Sequence, residues 1–404
     1  MAVYAPLLGT RNFVLNVVGD FSPENVSVVV KPEHRLPDEI ADNVYSSWMR
    51  MLDDRAKTFK GDVKIDTDYK PMPRLLVDGQ PKMFAGPSMR IDNYQVVNGD
   101  YWKDADKFII EGSPTNYASS LATQNTDPYG IIDRHGMDGL ANSCALSATP
   151  IFKNKDGEEV IQTFGRMNLS EYPFYIGTAA GNVSVVREDA VSRTAYSEIS
   201  EETGLMPRVE FPDDLKVLGL VKESSKVEKT KFSNGLYGFV IKDKDKNGNV
   251  TSTRKAISYN EKPRIQGMVL NVDIDDHTND GAVKPHFKHE FMVYQPTGID
   301  VDTYESMELW KRAEEKEHAS VNYIRATMDG VKKFLFDTQT MPNRAMPVTQ
   351  AVILYSVKKK HGIEGIRSLV EELNEKFPIG DDHPFYSRIG AIEKNGYPVG
   401  TFVQ

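Results

Sequence analysis

The chain has 404 residues, 40% of them hydrophobic and 26% charged, which is the composition of a globular protein large enough for two domains or one elaborated domain. Its 49 basic and 58 acidic side chains leave a formal charge of −9. That balance argues against a general binder of nucleic acid or anionic membrane, both of which are held by basic surface.

Alternating apolar residues predict strands at Phe13–Val18 and Val26–Val30, joined around Gly19 and Asp20. Ile40, Val44, Trp48 and Leu52 at helical spacing predict a helix from Pro37 to about Thr58. Polar, Pro-rich sequence runs on to about Asp106, with Phe84–Arg90 as a loop or strand edge. Strands are expected at Lys107–Glu111, Ser143–Phe152, Glu159–Phe164 and Tyr172–Thr178. A helix is expected over Glu188–Thr203, closed by Gly204 at the position that favours a left-handed cap. Lys216–Val221 and Leu236–Ile241 read as strands. The segment from Asp243 to about Lys288 reads as polar and turn-rich, with a hairpin tip at Asp243–Gly248. His289–Tyr294 is a further strand, Thr303–Lys316 a helix and Val321–Ala326 the last strand. Helices follow at Val348–Lys360 and Ile363–Phe377. Strands and helices mix without a βαβ rhythm, so the fold class is α+β.

Several chemical patterns fail on inspection. Asp243-x-Asp245-x-Asn247-Gly248 opens like a calcium loop, but Arg254 stands where the bidentate glutamate is required. His286 and His289 precede a strand and do not form the helical zinc pattern; one surface and one half-buried histidine are expected. Gly177–Gly181 lacks the spacing and lysine of a phosphate-binding loop, and no Gly-x-Ser-x-Gly elbow is present. Cys144, the only cysteine, excludes an intrachain disulfide and a cysteine-rich zinc site. Beside Ala141, Ala145 and Leu146 it reads as a small core residue. No apolar run reaches bilayer length, and Met1–Val18 has no basic leader region, so a cytoplasmic protein without a membrane partner is expected.

The run Ser197–Leu205 remains. Glu198, Glu201 and Glu202 lie at i, i+3 and i+4, on one side of a helix. Like charges so spaced repel, so the trio is either a solvated face or a site for a divalent cation held by hard oxygen ligands. The surroundings resemble the Nudix box: glycine, five residues, glutamate, seven residues, then Arg-Glu-U-x-Glu-Glu-x-Gly-U, with U apolar. Glu198, Ile199, Glu201, Glu202, Gly204 and Leu205 match its second half. The first half departs, with Ser197 for the arginine, Asp189 for the upstream glutamate and Gly181 two residues too distant.

Ordered fragments extend the resemblance to the UDP-sugar diphosphatases of that family, which also carry a long N-terminal segment and a box without its arginine. These are Trp48, Phe84-x-Gly86-x-x-x-Arg90, Thr115-x-Tyr117, Leu121–Thr123, Ala141–Ser143, Leu218–Val221, His289–Val293, Glu317–Ser320 and Ala351–Tyr355. The resemblance implies a Nudix α/β/α sandwich over residues 141–360, with an insertion at about 243–288. An N-terminal α/β extension over 1–140 and a C-terminal helical extension over 361–404 would flank it. It implies Mg2+, or Mn2+, held by Glu198, Glu201 and Glu202, with a backbone carbonyl near Ala180 or Gly181 assisting.

By the same resemblance Glu314, Glu315 and Glu317 are candidate general bases, Glu317 foremost, with a solvated helix end in a Glu/Lys-rich run as its alternative, and Glu201 and Glu202 share the catalytic role. Phe84, Arg90, Tyr117 and Asn142 are candidate substrate contacts, each with a core or capping role as its alternative; Arg90 has Asp92 within reach as a partner. The implied activity is hydrolysis of UDP-glucose or UDP-galactose to UMP and sugar 1-phosphate. Open alternatives are NADH, ADP-ribose or capped RNA as substrate, and a Nudix-fold module that senses a nucleotide-sugar without cleaving it. No nucleic-acid partner is expected, and a homodimer stays open.

Overall fold

The computed structural model describes residues 5–6, 13–70, 72–98, 105–124, 126–166, 176–184, 186–276, 282–309, 318–340, 345–378, 388, 390–392, 394–395 and 401–403. Over these the chain is an α+β protein built on one large mixed sheet and three small ones. The large sheet runs Ala5–Pro6, Phe13–Phe21, Arg264–Asp276, Ala282–Asp300, Cys144–Lys153, Glu159–Arg166, Ile176–Gly177. Two further strands join off this path, Ala179–Asn182 on Cys144–Lys153 and His318–Arg325 on Glu159–Arg166. Pairing is antiparallel except between Ala282–Asp300 and Cys144–Lys153, which run parallel with His289 opposite Cys144. Cys144–Lys153 is buried along all but its last residue. A strand covered on both faces reads as a near-continuous apolar run, and this one does, with only the small polar Ser147 and Thr149 interrupting it before Lys153.

Helices lie against both faces of the sheet. Cys144, Leu146, Ala148, Phe291 and Val293 pack with Ala195 and Ile199 of the helix Ala190–Thr203. On the other side Ile161, Val269 and Met292 pack with the helices Met328–Thr340, Pro347–Ser356 and Lys358–Lys376, the last interrupted at Gly362. A third cluster sets Trp48 and Leu52 of the helix Asp38–Ala56 against Leu270 and Phe287 of the sheet. The Trp48 indole donates to the Pro73 carbonyl at 2.7 Å.

Several sequence expectations change. Lys216–Val221 is not a strand. A single helical turn, Asp214–Val217, precedes Gly219 at φ 78°, and Leu215, Leu220 and Val221 fill a satellite core with Met206, Phe239 and Ile241. A short apolar run carries no periodicity that separates these outcomes. The segment read as turn-rich, Asp243–Lys288, holds the strands Val250–Tyr259 and Arg264–Asp276. The second of these sits inside the large sheet, pairing with Phe13–Phe21 and Ala282–Asp300. The Pro-rich stretch before Asp106 forms a three-stranded sheet over 63–83 and the long strand Pro87–Val97. The helix expected at Thr303–Lys316 is described only as Val301–Glu305. Residues 310–317, and with them Glu314, Glu315 and Glu317, lie outside the described residues, as do 172–175 of the strand expected at Tyr172–Thr178.

Candidate functional site

The helix Ala190–Thr203 forms because Ala190, Val191, Ala195 and Ile199 present one apolar stripe to the sheet. It ends where Gly204 turns left-handed at φ 70° and donates its N–H to the Ser200 carbonyl at 3.0 Å. Two contacts fix that end. The Tyr304 hydroxyl donates to the Thr203 carbonyl at 2.8 Å, and the Ile257 N–H donates to the Gly204 carbonyl at 3.0 Å. Burial pushes the Tyr304 hydroxyl far above its ordinary pKa, so it stays a donor.

The glutamates project from this anchored last turn. Glu202 is buried at 8% exposure, and its Oε1 accepts the Ala180 N–H at 2.9 Å. Glu198, one turn earlier, is half-buried with its carboxylate against Gly181. A Cβ at Gly181 would fall 2.0 Å from its Oε1, so any other residue would push the carboxylate out of this position. The cradle is the edge strand Ala179–Asn182, which pairs with Cys144–Lys153 alone. An antiparallel residue carries its N–H and C=O on the same edge. The Ala180 carbonyl is therefore turned to the side on which its N–H meets Glu202.

Glu201 behaves differently. It is exposed, and Ser197, at the box's arginine position, donates its hydroxyl to Oε1 at 2.5 Å. At 100° per residue Glu201 and Glu202 diverge by 100°, whereas Glu198 and Glu202 are only 40° apart. Among the described residues no group of three or more His, Cys, Asp or Glu is gathered as a metal-ligand cluster. Two carboxylates nevertheless lie against adjacent residues of one edge strand, Glu202 at Ala180 and Glu198 at Gly181. Those hard donors fit magnesium, which is held by one or two carboxylates while keeping waters and substrate oxygens in its shell.

The expected substrate contacts fall into two pairs. Phe84 is 51% exposed, at a turn where Gly86 donates to its carbonyl. Tyr117 donates its backbone N–H to the Gly86 carbonyl at 2.9 Å and stacks edge-on to Trp48, 6.4 Å between ring centres. Arg90 is 4% exposed, and its guanidinium is spent on the protein. It donates to Asp92 at 2.7 Å and to the carbonyls of Leu140 and Met137, with Asp138 3.7 Å away. In this arrangement Arg90 braces the turn Gly136–Gly139. Asn142 is buried at φ 44°; its amide donates to the Ile91 carbonyl, and its Oδ1 lies 3.2 Å from His289 Nδ1. The Met89 N–H donates to the Val183 carbonyl at 2.7 Å, which ties this strand to the chain leaving the Ala180–Gly181 cradle.

His286 and His289 are both fully buried, not one at the surface and one half-covered. Burial drops the His289 pKa to about 3, so the imidazole is neutral near pH 7. Cys144 is buried as expected; burial raises its thiol, and Sγ sits 3.4 Å from the Met89 carbonyl. Sequence reasoning missed the Tyr304 clamp, which lies 101 residues beyond Thr203 and has no local signal. It also missed the contact of Gly181 with Glu198, for which the small residue was the available sign. Among the described residues no helix is long and apolar enough to cross a membrane. No family model matches the chain, and no curated protein matches it in sequence.

Proposed function

We propose that the chain is a Nudix-type, magnesium-dependent hydrolase of a nucleoside diphosphate-sugar, with UDP-glucose or UDP-galactose giving UMP and sugar 1-phosphate. One observation carries the reading: the box-like helix docks two of its three glutamates, Glu198 and Glu202, onto the Ala180–Gly181 edge strand. Helix layers on both faces of the large sheet support the α/β/α part of it.

Magnesium, when bound, neutralises the diphosphate and lowers the pKa of a coordinated water. Glu198 and Glu202 would hold it, with the Ala180 carbonyl and Glu201 as further oxygen donors. The Ala180 N–H occupies one oxygen of Glu202 and so fixes the direction of the other. Hydrolysis adds water oxygen to one phosphorus and breaks the bridging P–O bond, while the water's proton passes to a base. Glu317 is the sequence's candidate for that base.

The alternative is a nucleotide-sugar sensor without turnover. Ser197 favours it, since a neutral hydroxyl on Glu201 replaces the charge that an arginine would bring. Release of UMP from UDP-glucose with magnesium separates the two. Turnover by the wild type, reduced about 100-fold or more in Glu202→Gln, is expected. Magnesium-dependent binding of UDP-glucose without UMP release would establish the sensor instead. A panel with NADH and ADP-ribose assigns the substrate.

A further inference from the structure

Beyond the glutamate helix, the strand Leu205–Pro207 joins Val250–Tyr259, Tyr237–Lys244 and Lys226–Lys231 in a small four-stranded sheet, beside which lies a cavity of about 340 Å³. Val209 and the buried ring of Phe239 form its apolar floor, and Arg208, Lys229, Lys231 and the exposed ring of Tyr237 stand around it. We propose that this cavity binds a phosphorylated ring compound of nucleoside monophosphate size, at a site separate from the glutamate helix.

Charge is the first argument. The chain carries a formal charge of −9, yet three cations and no carboxylate line this cavity. None of the three forms an ion pair among the described residues. Arg208 donates to the Asn260 side-chain carbonyl at 3.3 Å, and Lys229 donates to the Glu210 backbone carbonyl. The opposite face of the same strands is a built-in contrast. There Lys226 and Lys242 lie 2.7 and 3.6 Å from Glu228, so both are ion-paired and half of their charge is offset. Alternation along the strands thus separates a face whose lysines are ion-paired from one whose cations are not.

Shape and surface supply the second argument. Arg208 and Lys231 sit 5.7 and 5.3 Å from the Tyr237 ring centre, gathering positive charge beside an exposed aromatic face. An apolar floor beside a cationic rim suits a ligand with a ring at one end and an anion at the other. A planar base can lie on tyrosine, as bases do on aromatic side chains elsewhere. Arginine and lysine are the ordinary partners of phosphate oxygens. The volume is at the small end of ligand pockets, which suits a single nucleotide rather than a polymer.

Calorimetric titration of the full chain with UMP, AMP, uridine and inorganic phosphate tests this. We expect one of the nucleotides to bind more tightly than uridine or phosphate alone. Its affinity should fall about tenfold or more in Lys229→Gln/Lys231→Gln and in Tyr237→Ala, and should be unchanged in Glu198→Gln/Glu202→Gln. These cavity side chains are exposed, so unchanged melting temperatures will show that the variants fold. The proposal is overturned if neither nucleotide binds, if the cavity variants bind like the wild type, or if the glutamate variant alone loses binding. That last result would place the nucleotide at the glutamate helix, so the hydrolase reading and this one fail on different outcomes.

Discussion

Single side chains decide what the carboxylate helix can do. Gly181 is the clearest case, because the space its missing Cβ leaves is the space the Glu198 carboxylate occupies. Gly181→Ala is expected to displace Glu198 and cut metal-dependent turnover by about tenfold to 100-fold. Its melting temperature should barely move, since the position is on an edge strand at ordinary φ. Equal loss of stability and activity would reject this role. His289 makes a different prediction. Folding holds it neutral with a pKa of about 3, whereas the unfolded chain binds a proton near the ordinary histidine value of about 6.5. The folded pKa is depressed, so the stability it contributes is present above pH ~6.5 and is lost as pH falls toward ~3. Urea titrations at pH 7 and pH 5 should show a smaller loss for His289→Gln than for the wild type.

At the scale of elements, the helix end is the part the sequence announced best. The spacing of Glu198, Glu201 and Glu202 and the closing Gly204 are local signals, and the helix stops at Thr203 as the pattern predicts. Gly204 is required twice, for φ 70° and because a Cβ would meet that of Leu309 at 2.9 Å. Gly204→Ala is expected to cost about 1–3 kcal/mol in chemical denaturation; a loss below ~0.5 kcal/mol would mean the cap relaxes freely. The strand Cys144–Lys153 was equally legible, being apolar at most of its positions. Lys216–Val221 was not, because six residues with apolar positions fit a strand or a turn packed on a satellite core. Val250–Tyr259 hid for another reason: its first four residues are exposed, and polar side chains run from Thr251 to Lys255, so no apolar alternation marks it.

Across the whole molecule, distant segments meet at Asp20. Arg264 contacts it at 3.0 Å and the Tyr294 hydroxyl donates at 3.2 Å, while Lys358 donates to the neighbouring Gly19 carbonyl at 2.7 Å. The first long strand, two central strands and a late helix are thereby joined. Burial works against charge on Asp20, but the Arg264 contact, with Tyr294 and Lys358, outweighs it and holds the carboxyl below its ordinary pKa. The contribution to stability is therefore full above pH ~4 and lost as pH falls through the folded pKa. Asp20→Asn should cost about 2 kcal/mol at pH 7, and the difference from the wild type should shrink below pH ~4. A pH-independent difference would show that packing, not charge, is what Asp20 supplies.

By itself the sequence determined the α+β class, the glutamate helix and its glycine stop, since these rest on spacing and backbone preference within a few residues. Only the tertiary structure decided that Glu198 and Glu202 turn to the Ala180–Gly181 edge while Glu201 stays in solvent. It also decided that Arg90 and Asn142 are spent on bracing the chain, and that Arg264–Asp276 lies inside the large sheet. These outcomes depend on contacts across tens to hundreds of residues, where loop closure and packing, rather than local pattern, choose the partner.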